Sequence, residues 1–474
     1  MTSKAYVFFS VHEELFHRVA ERLVARGVDE LSGFLWSKQQ EKSILSRGVP
    51  YRDLVVFTRD LLPKHEAQPD LEWLARRERE LGVSIQRMIE SERHLLKGRS
   101  FEQIMRIAEV GLREIAAALD RAKPTFLFSE DVSCFHSYAH FVLARERGLK
   151  FWAITSGRLP RRIAVYSKAP QMSETLEERF RELYARGLSR SEHELAETYV
   201  ASFRDRPARP TGMDKRAKRP SISLDDASKI AAAAARYFGD PDDPTAVPPW
   251  RAVKQRLTRV ARVTAADARA TFDQPVRGER YVLYPIHFQP EASTLVQAPL
   301  YVDQLQLLRD IAASLPVGVR LYVKEHVSNR GRRALSFYDA IRAIPSTRLL
   351  GPDADTWALI SGANAIAVIT GTMGWEGLLF ERPVITFGST FFNHHPSVIR
   401  AFDVPKDRWF DVFSRATSGH IVDRKATLAM VVALHQASHP GFFGNASTFP
   451  EVLDPGNVTQ IADALAEVAL NGRT

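Results

Sequence analysis

The stretch AIAVITGTMGWEGLLFERPVITFG, residues 365–388, decides the fold class of this chain. A run of buried-type apolar residues ends at Ile369, a turn of small and hydroxyl residues follows, and a helix is predicted to begin at Met373 or Gly374. A second apolar run, 384–387, comes directly after that helix. A strand, a helix and a strand in this order indicate parallel pairing in an α/β sheet.

The same alternation extends along most of the chain. Upstream of the deciding stretch, helices alternate with strands predicted at 281–284, 320–323 and 348–350. The N-terminal third repeats the pattern, with one long helical region predicted over 71–119 and strands at 5–9, 34–36, 54–57, 125–128 and 151–154. We therefore expect an α/β protein of two Rossmann-like domains that face each other across a cleft.

An irregular middle separates the two units. Residues 204–220 hold seven Lys or Arg and three Pro, so we predict an exposed linker there, and PDDPTAVPP, 241–249, is a second break. The predicted organisation is an N-terminal Rossmann-like domain over 1–170, a helical and basic linker over 171–275, a C-terminal Rossmann-like domain over 276–440, and a C-terminal helix over 441–474.

A helix predicted over 250–263 has an apolar stripe on one side and a basic side opposite. The stripe consists of Trp250, Val253, Leu257 and Val260, and the basic residues are Arg251, Lys254, Arg256, Arg259 and Arg262. This make-up suits an element that lies on a membrane surface. Packing of the stripe against the protein itself is the interpretation that the sequence favours.

Composition excludes several classes of protein. The chain has 474 residues, of which 45% are hydrophobic and 26% charged, and this excludes wholesale disorder and a coiled-coil protein. The lone cysteine, Cys134, permits neither an internal disulfide nor a cysteine-based zinc site. There is no secretory apolar segment at the N-terminus and no uncharged run of about 18 residues, so we expect a cytoplasmic protein, free or at the inner face of the membrane.

A net charge of +9 favours an anionic partner, which composition alone leaves open among a nucleotide, a phospholipid and a nucleic acid. The basic residues cluster in the linker and one helix, without aromatic stacking residues or a known nucleic-acid module. We therefore expect no nucleic-acid partner.

The turn inside the deciding stretch has the make-up of a phosphate site. It contains Thr370, Gly371, Thr372 and Gly374, and glycines let a ligand approach the backbone while free N–H groups at a helix start attract phosphate. Glu376 follows in the first turn, where it suits the helix dipole and could accept ribose hydroxyls. The alternative is an ordinary helix start with Thr as cap and Glu as dipole partner. The turn is not a G-x-G-x-x-G motif and the chain has no P-loop motif, which disfavours dinucleotide oxidoreductases and P-loop NTPases.

Two further polar loops follow the first two strands of this half. YPIHFQPEAST, 284–294, supplies His287, Gln289 and Glu291, and YVKEHVSNRG, 322–331, supplies Lys324 and His326. Open α/β sheets bind ligands at the carboxyl ends of their strands, so we expect these side chains at the same site. The alternative is two ordinary solvated loops.

In the N-terminal half, Glu130 and Asp131 follow a predicted strand and precede a helix, and either carboxylate could take a proton from an acceptor hydroxyl. Helix capping is the alternative, and the sequence favours it at this point. Three arginines after the next strand are candidates for contact with an anionic acceptor: Arg158, Arg161 and Arg162. His12, after the first strand, is a weaker candidate.

The sequence predicts no metal site. Asp353 and Asp355 form a D-x-D pair, but the second aspartate precedes TWALISGAN and suits a helix N-cap. No paired-cysteine or H-E-x-x-H motif occurs.

YPIHFQPEAST, PLYVDQLQLLRDIAASLPVGVRLYVKEH and TGTMGWEGLLFERPVITFG together resemble the capsule and surface polysaccharide biosynthesis proteins of bacteria, which include β-linked 3-deoxy-manno-octulosonic acid (Kdo) transferases. The resemblance is specific over 281–392, and it is distantly shared with nucleotide-sugar 2-epimerases. It implies a GT-B glycosyltransferase in which the C-terminal domain binds a nucleotide sugar and the N-terminal domain binds the acceptor, a growing glycan that is often lipid-linked. It implies no obligatory metal and no cofactor besides the nucleotide-sugar co-substrate.

The resemblance also implies roles for the candidate residues. Glu130 or Asp131 would activate the acceptor hydroxyl in a direct transfer, and Lys324, His326 and the amides around 370–374 would stabilise the departing phosphate. Glu376 would hold the ribose, and Gln289, Glu291 and His287 would orient the sugar, with His287 among the catalytic residues.

One residue departs from the family pattern. Val327 follows His326 where relatives commonly have Pro, a feature of transferases that use cytidine-monophosphate sugars, so CMP-Kdo is only one option for the donor. The alternatives are a nucleotide-sugar epimerase or hydrolase and a non-catalytic polysaccharide assembly protein.

Overall fold

The computed structural model describes residues 2–93, 95–96, 98–167, 174–205, 224–470 and 472, which form two sheets with helices on both faces. The strands are β1 Lys4–Phe8, β2 Glu30–Leu35, β3 Tyr51–Val56, β4 Phe126–Glu130, β5 Lys150–Ser156, β6 Arg162–Tyr166, β7 Arg280–Pro285, β8 Val319–Lys324, β9 Thr347–Leu350, β10 Ala365–Val368, β11 Val384–Thr386, β12 Val398–Arg400 and β13 His439–Pro440.

The helices cover the sheets and the middle of the chain. The α-helices are α1 Glu13–Val24, α2 Lys38–Leu45, α3 Leu71–Leu81, α4 Ile85–Glu90, α5 Phe101–Ala122, α6 Phe135–Glu146, α7 Glu174–Arg186, α8 Arg190–Arg204, α9 Leu224–Gly239, α10 Pro249–Ala268, α11 Ala292–Leu295, α12 Gln304–Ala313, α13 Leu335–Arg342, α14 Thr356–Gly362, α15 Thr372–Leu379, α16 Trp409–Thr417, α17 Arg424–Gln436 and α18 Pro455–Ala469. A π-helical turn covers Phe57–Leu61, and 3₁₀ turns cover Leu62–Glu66, Pro299–Tyr301, Val327–Asn329, Ala401–Asp403, Lys406–Arg408 and Pro450–Leu453.

The strand orders confirm the predicted fold class. The first sheet has the order β13-β6-β5-β4-β1-β2-β3 and is parallel from β5 to β3, and the second has the order β12-β11-β10-β7-β8-β9 and is parallel throughout. In the second sheet β7 lies beside β10, so the direction of strand addition reverses between them. Such a reversal opens a crevice at the carboxyl ends of the two strands.

Each sheet has an apolar core on both faces because side chains alternate along its buried strands. In β1, Tyr6 and Phe8 pack towards α5 and α6, whereas Ala5 and Val7 pack towards α1 and α18. The second sheet repeats this arrangement, with α7, α8, α15 and α17 on one face and α12, α13 and α16 on the other.

The end of the chain returns to the first sheet. After α17, β13 pairs antiparallel with β6, and α18 buries Val458, Ile461 and Leu465 against the core beside α1. Conversely, α7 and α8 from the predicted linker bury Phe180 and Phe203 in the core of the second sheet. Each unit therefore depends on a segment that is distant in sequence, and the predicted boundaries at 170, 275 and 440 stay predictions.

The helical region predicted over 71–119 consists of three helices, α3, α4 and α5. Gly82 ends α3 in a left-handed conformation with φ of 62°, and serine side chains then cap two new helices, Ser84 for α4 and Ser100 for α5. The strands β6 and β12 were missed because both are short and lie near a sheet edge. Most of the predicted linker at 204–220 lies outside the described residues, which resume at α9.

The helices α9 and α10 pack on each other and connect the two units. Just after α9, the Asp240 carboxylate accepts hydrogen bonds from Thr58 Oγ1 at 2.9 Å, in the π-helical turn after β3, and from the Lys38 amide at 3.0 Å, at the start of α2. On α10, Arg259 Nε donates to the Arg330 carbonyl at 2.7 Å, in the loop after β8 of the second sheet. The helix pair therefore spans the rim of the cleft.

Two buried histidines make the first unit sensitive to acid. His136 and His140 are fully buried on α6 among Phe34, Trp36 and Phe57, and only one of their four ring nitrogens, His140 Nδ1, has a hydrogen-bond partner among the described residues. Burial lowers the pKa of His140 to about 4 and moves that of His136 well below its usual range. Both rings are therefore neutral in the folded protein at pH 7.

We expect the free energy of unfolding to fall as the pH is lowered from about 6.5 towards 4, because the unfolded chain binds protons that these folded-state histidines do not. For His140 alone, the loss in the free energy of unfolding between pH values above 6.5 and below 4 is about 3 kcal/mol. Thermal melts across this range measure how steeply the melting temperature falls with pH. That fall should be smaller in His136→Phe and unchanged in His193→Phe, on the exposed side of α8. An unaltered slope in His136→Phe would contradict this assignment.

Candidate functional site

The predicted phosphate corner lies at the carboxyl end of β10, where α15 begins. Gly371 is the N-cap residue and Thr372 is the first helical residue, and no side chain caps α15. Other helices in this unit are capped by aspartates, for example α12 by Asp303 and α14 by Asp355, as predicted for the latter. The alternative of a threonine cap is therefore wrong. The Gly374 amide donates to the Gly371 carbonyl at 3.1 Å, which leaves the Thr372 and Met373 amides as the ones that a ligand can use.

The glycines of this corner serve two different purposes. A Cβ on Gly374 would lie 2.7 Å from Phe392 and 2.9 Å from Val368, so this glycine lets α15 pack closely on the sheet. A Cβ on Gly371 would lie 3.1 Å from the His287 ring, at the crevice between β7 and β10. The absence of a side chain on Gly374 is thus used by packing, and contact of a ligand with Gly374 stays a prediction.

His287 joins the two loops that meet at this crevice. Its Nε2 accepts a hydrogen bond from the Ile369 amide at 3.2 Å, and its backbone carbonyl accepts bonds from Gln304, Asn329 and Arg333. Burial, with the charges of His326 and Arg333, lowers the pKa of His287 to about 3. His287 is therefore neutral, and because its Nε2 already accepts a hydrogen bond from the Ile369 amide, the geometry gives it a positioning role beside the corner.

The two other residues of the first polar loop are held differently. Gln289 donates to the Val302 carbonyl at 2.8 Å and accepts from Gln304 at 2.6 Å, so both ends of its amide are engaged. Glu291 is exposed, accepts from Ser293 Oγ at 2.8 Å, and lies close enough to Arg158 for its charge to act on the pKa of that guanidinium. Glu291 therefore lies where the two units approach each other.

The second polar loop borders a cavity. Lys324 is buried and donates to the Pro352 carbonyl at 3.2 Å, whereas His326 is exposed and its Nδ1 accepts from the Ser328 amide at 3.1 Å. The adjoining cavity of about 360 Å³ is lined by the loops after β8 and β9 and by α10, including Arg262, Phe272, Glu325, Arg330, Tyr338 and Asp353. Its volume falls in the range of small-molecule sites.

Glu376 is buried on α15, one turn after the corner. Burial raises the pKa of Tyr199 on α8 to about 12, and the charge of Glu376 adds to this effect. The sequence predicted helix in the region of α8, but not that this helix packs beside Glu376. Contact of Glu376 with a ribose stays a prediction.

Across the cleft, Glu130 is the centre of a hydrogen-bonded cluster at the end of β4. Its carboxylate accepts bonds from Ser10 Oγ at 2.5 Å and Ser133 Oγ at 2.9 Å, and its Oε2 lies 3.0 Å from His12 Nε2. Burial alone would raise the pKa of Glu130, but these partners, His12 foremost, lower it to about 2. The cluster forms because β1 and β4 are adjacent in the sheet, so the turn after β1 meets the end of β4.

Asp131 has the opposite environment. Its Oδ1 accepts from the Val132 amide at 2.8 Å, and its Oδ2 is buried. Burial raises the pKa of Asp131 to about 6, with Tyr166 and Arg158 close enough to oppose part of that rise. Of the two predicted carboxylates, Asp131 is thus the one suited to take up a proton near neutral pH.

The three candidate arginines lie at one hairpin but differ in their contacts. Arg158 has a left-handed backbone with φ of 65°, and its guanidinium lies 5.6 Å from the Phe391 ring of the second unit. Arg162 donates to Ser438 and to the His435 carbonyl, so its guanidinium anchors the return of the chain and is not available to an acceptor in this arrangement. Arg161 is exposed, and its contact with an acceptor stays a prediction.

The structure thus brings the predicted residues to two facing edges. The corner, His287 and the Lys324–His326 loop lie on the second unit, and Asp131 and Arg158 lie on the first. The sequence made His12 a weaker candidate than the carboxylates. The feature that pointed to it is its position after a strand, which is like that of Glu130. Within the described part of the chain, no cluster of three or more His, Cys, Asp or Glu side chains is placed to hold a metal ion.

Residues 252–396, about a third of the chain, match the family described as capsule polysaccharide biosynthesis protein, which confirms the predicted resemblance. No curated protein matches the chain.

Solved structures that are similar to the chain include two of Thermosulfurimonas dismutans KpsC and one of an Anabaena protein. The KpsC beta Kdo 2,4 transferase is 14% identical over 72% of this chain and 87% of its own, with a TM-score of 0.38. The KpsC beta Kdo 2,7 transferase is 12% identical over 69% and 82%, with a TM-score of 0.37. Anabaena Alr3699/HepE, in complex with UDP and glucose, is 10% identical over 99% and 100%, with a TM-score of 0.28.

We expect the neighbouring carboxylates to affect stability with opposite signs near neutral pH. Glu130→Gln removes a charge that its partners stabilise and should lower the free energy of unfolding by about 2 kcal/mol. Burial raises the pKa of Asp131 in the folded state above its value in the unfolded chain, so its charge at this pH destabilises the fold. Asp131→Asn removes that charge and should raise the free energy of unfolding by about 1 to 2 kcal/mol. Denaturant titrations at about pH 7.5 measure both, and equal signs would contradict the assigned environments.

Proposed function

We propose that the protein is a glycosyltransferase that transfers a sugar from a nucleotide-activated donor to a growing bacterial surface polysaccharide. The observation that carries this proposal is the overlap between the family match and the site. The matched residues, 252–396, contain the uncapped corner at α15, His287, and the Lys324–His326 loop with its cavity. The facing edge of the first unit supplies a carboxylate with a raised pKa.

The donor is proposed to bind on the second unit. The Thr372 and Met373 amides at the start of α15, the Lys324 ammonium and the His326 ring suit the negative charge of a nucleotide phosphate. Glu376, one turn after the corner on α15, is the proposed ribose partner. Gln289 and Glu291 are proposed to orient the sugar, and a cytidine-monophosphate sugar remains one option for the donor.

The proposed chemistry is a direct displacement. The acceptor hydroxyl oxygen forms a bond to the anomeric carbon, the bond from that carbon to the phosphate oxygen breaks, and the hydroxyl proton passes to Asp131. Negative charge that develops on the departing phosphate is stabilised by the amides of the corner with Lys324 and His326. Arg158, between Asp131 and Glu291, is the proposed contact for an anionic acceptor.

Nucleotide binding is tested by thermal shift with cytidine, uridine and guanosine nucleotides. A nucleotide that binds only the folded state raises the melting temperature, so we expect a response to one base and little to the other two. Glu376→Ala should abolish or strongly reduce that shift, whereas Glu451→Ala, at an exposed position before α18, should retain it. A nucleotide response that Glu376→Ala leaves intact would remove Glu376 from the proposed site.

Transfer itself is tested with nucleotide sugars in the presence and absence of a glycan acceptor. The proposal requires acceptor-dependent turnover that persists in EDTA, since no metal takes part in the proposed reaction. Turnover without acceptor would instead indicate an epimerase or hydrolase, and nucleotide binding without any turnover would favour an assembly protein.

The pH dependence of transfer tests Asp131 as the base. Because Asp131 must be ionised to accept a proton and has a pKa of about 6, kcat/KM should be level above about pH 7 and fall about tenfold per unit well below pH 6. Asp131→Asn should reduce kcat by about 10² to 10⁴ with little change in the nucleotide-induced thermal shift. Glu130→Asp, which keeps the carboxylate beside His12, is the matched control and should retain the acid limb. If the residual activity of Asp131→Asn shows the same fall in kcat/KM below pH 6, another group is responsible for that fall.

A further inference from the structure

An apolar surface on α9 and α10 is left uncovered by the rest of the described chain. Phe238 at the end of α9 is 69% exposed, and on α10 Trp250 is 62%, Leu257 52% and Val253 38% exposed. Residues 250, 253 and 257 follow helical spacing and lie on one side of α10. The prediction that this stripe packs against the protein was therefore wrong for these three residues, whereas Val260 is half-buried.

The buried side of α10 fixes this orientation. Arg259 donates to the Arg330 carbonyl and Arg262 to the Arg332 carbonyl, and Val263 and Ala266 are buried next to the loop after β8. Gly331 in that loop packs so closely on Arg259 that a Cβ would clash with it. Because these contacts hold one side of α10 against the second unit, the Trp250 side is held outward.

The charge around this surface is positive. Arg251 and Lys254 are exposed beside Trp250, and from Pro249 to Ala266 the helix contains no acidic residue. In the turn between the helices Asp242 is exposed, whereas Asp240 and Asp243 are buried. By sequence alone, the segment 206–223 that precedes α9 adds six Lys or Arg against one Asp.

We infer that this surface docks on an anionic lipid bilayer, with Trp250 and Leu257 in the interface and Arg251 and Lys254 at the lipid headgroups. Aromatic and aliphatic side chains beside Lys and Arg on one helix are the composition of interfacial helices. The absence of acidic side chains on this part of α10 suits an anionic surface better than a mixed-charge protein surface. Since the helix pair spans the rim of the cleft, docking turns that rim towards the bilayer.

This inference does not depend on the proposed reaction, because it concerns a surface outside the site. Sedimentation of the full-length protein with phosphatidylcholine vesicles, with and without about 30% phosphatidylglycerol, tests it. Binding should require the anionic lipid and weaken with salt. Trp250→Ser combined with Leu257→Ser should reduce the partition coefficient about tenfold or more, and Arg251→Glu combined with Lys254→Glu should do the same. The matched control is Leu300→Ser combined with Ile421→Ser, at positions 89% and 87% exposed elsewhere, and it should bind like wild type.

Fluorescence gives a second readout on the same samples. Trp36, Trp152, Trp375 and Trp409 are at most 4% exposed, so a blue shift on binding that is absent in Trp250→Phe reports insertion of Trp250. Unchanged circular dichroism and melting temperature show that the exposed-site variants fold. Vesicle binding that is absent, or that the α10 variants do not weaken, would overturn the inference. A stable dimer that the Trp250 and Leu257 substitutions dissociate would also overturn it, since a second copy would then cover the surface.

Discussion

The candidate site depends on the pairing of β7 with β10, two strands that are about 80 residues apart in sequence and adjacent in the second sheet. Their pairing brings the loop of His287 to the start of α15, where His287 accepts a hydrogen bond from the Ile369 amide at 3.2 Å. Gln304 at the start of α12, and Asn329 and Arg333 in the segment after β8, then donate hydrogen bonds to the His287 carbonyl. One neutral histidine therefore connects the phosphate corner with the Lys324–His326 loop, and its burial is the reason that it stays neutral.

The first unit places two adjacent carboxylates in opposite environments. Glu130 receives hydrogen bonds from the turn after β1 and is held as an anion, whereas Asp131 is buried with few donors and holds its proton to a higher pH. A peptide bond separates the two residues, so sequence proximity carried no information about this difference. The difference arises from the strand order, which places Ser10 and His12 beside Glu130 and the hairpin of Arg158 and Tyr166 beside Asp131.

Among the described residues, the links between the two units include three that use segments from far along the chain. The return of α18 completes the core beside α1, α7 and α8 complete the core of the second sheet, and α9 with α10 spans the rim. Among the described residues no helix has the length and hydropathy needed to cross a bilayer. In α10, Arg259 and Arg262 donate hydrogen bonds to the loop after β8, and these contacts determine which side of the helix is exposed.

The sequence by itself determined the fold class, most of the parallel strands and the corner at 370–374, because apolar periodicity and turn residues act locally along the chain. It also indicated the family over the segment that the comparison matches. Only the tertiary structure decided that Gly374 serves packing, that Arg162 anchors the C-terminal return, that Asp131 rather than Glu130 has the raised pKa, and that Trp250 faces outward. Each of these depends on neighbours supplied by other strands and helices, and neither spacing nor composition encodes which neighbours those are.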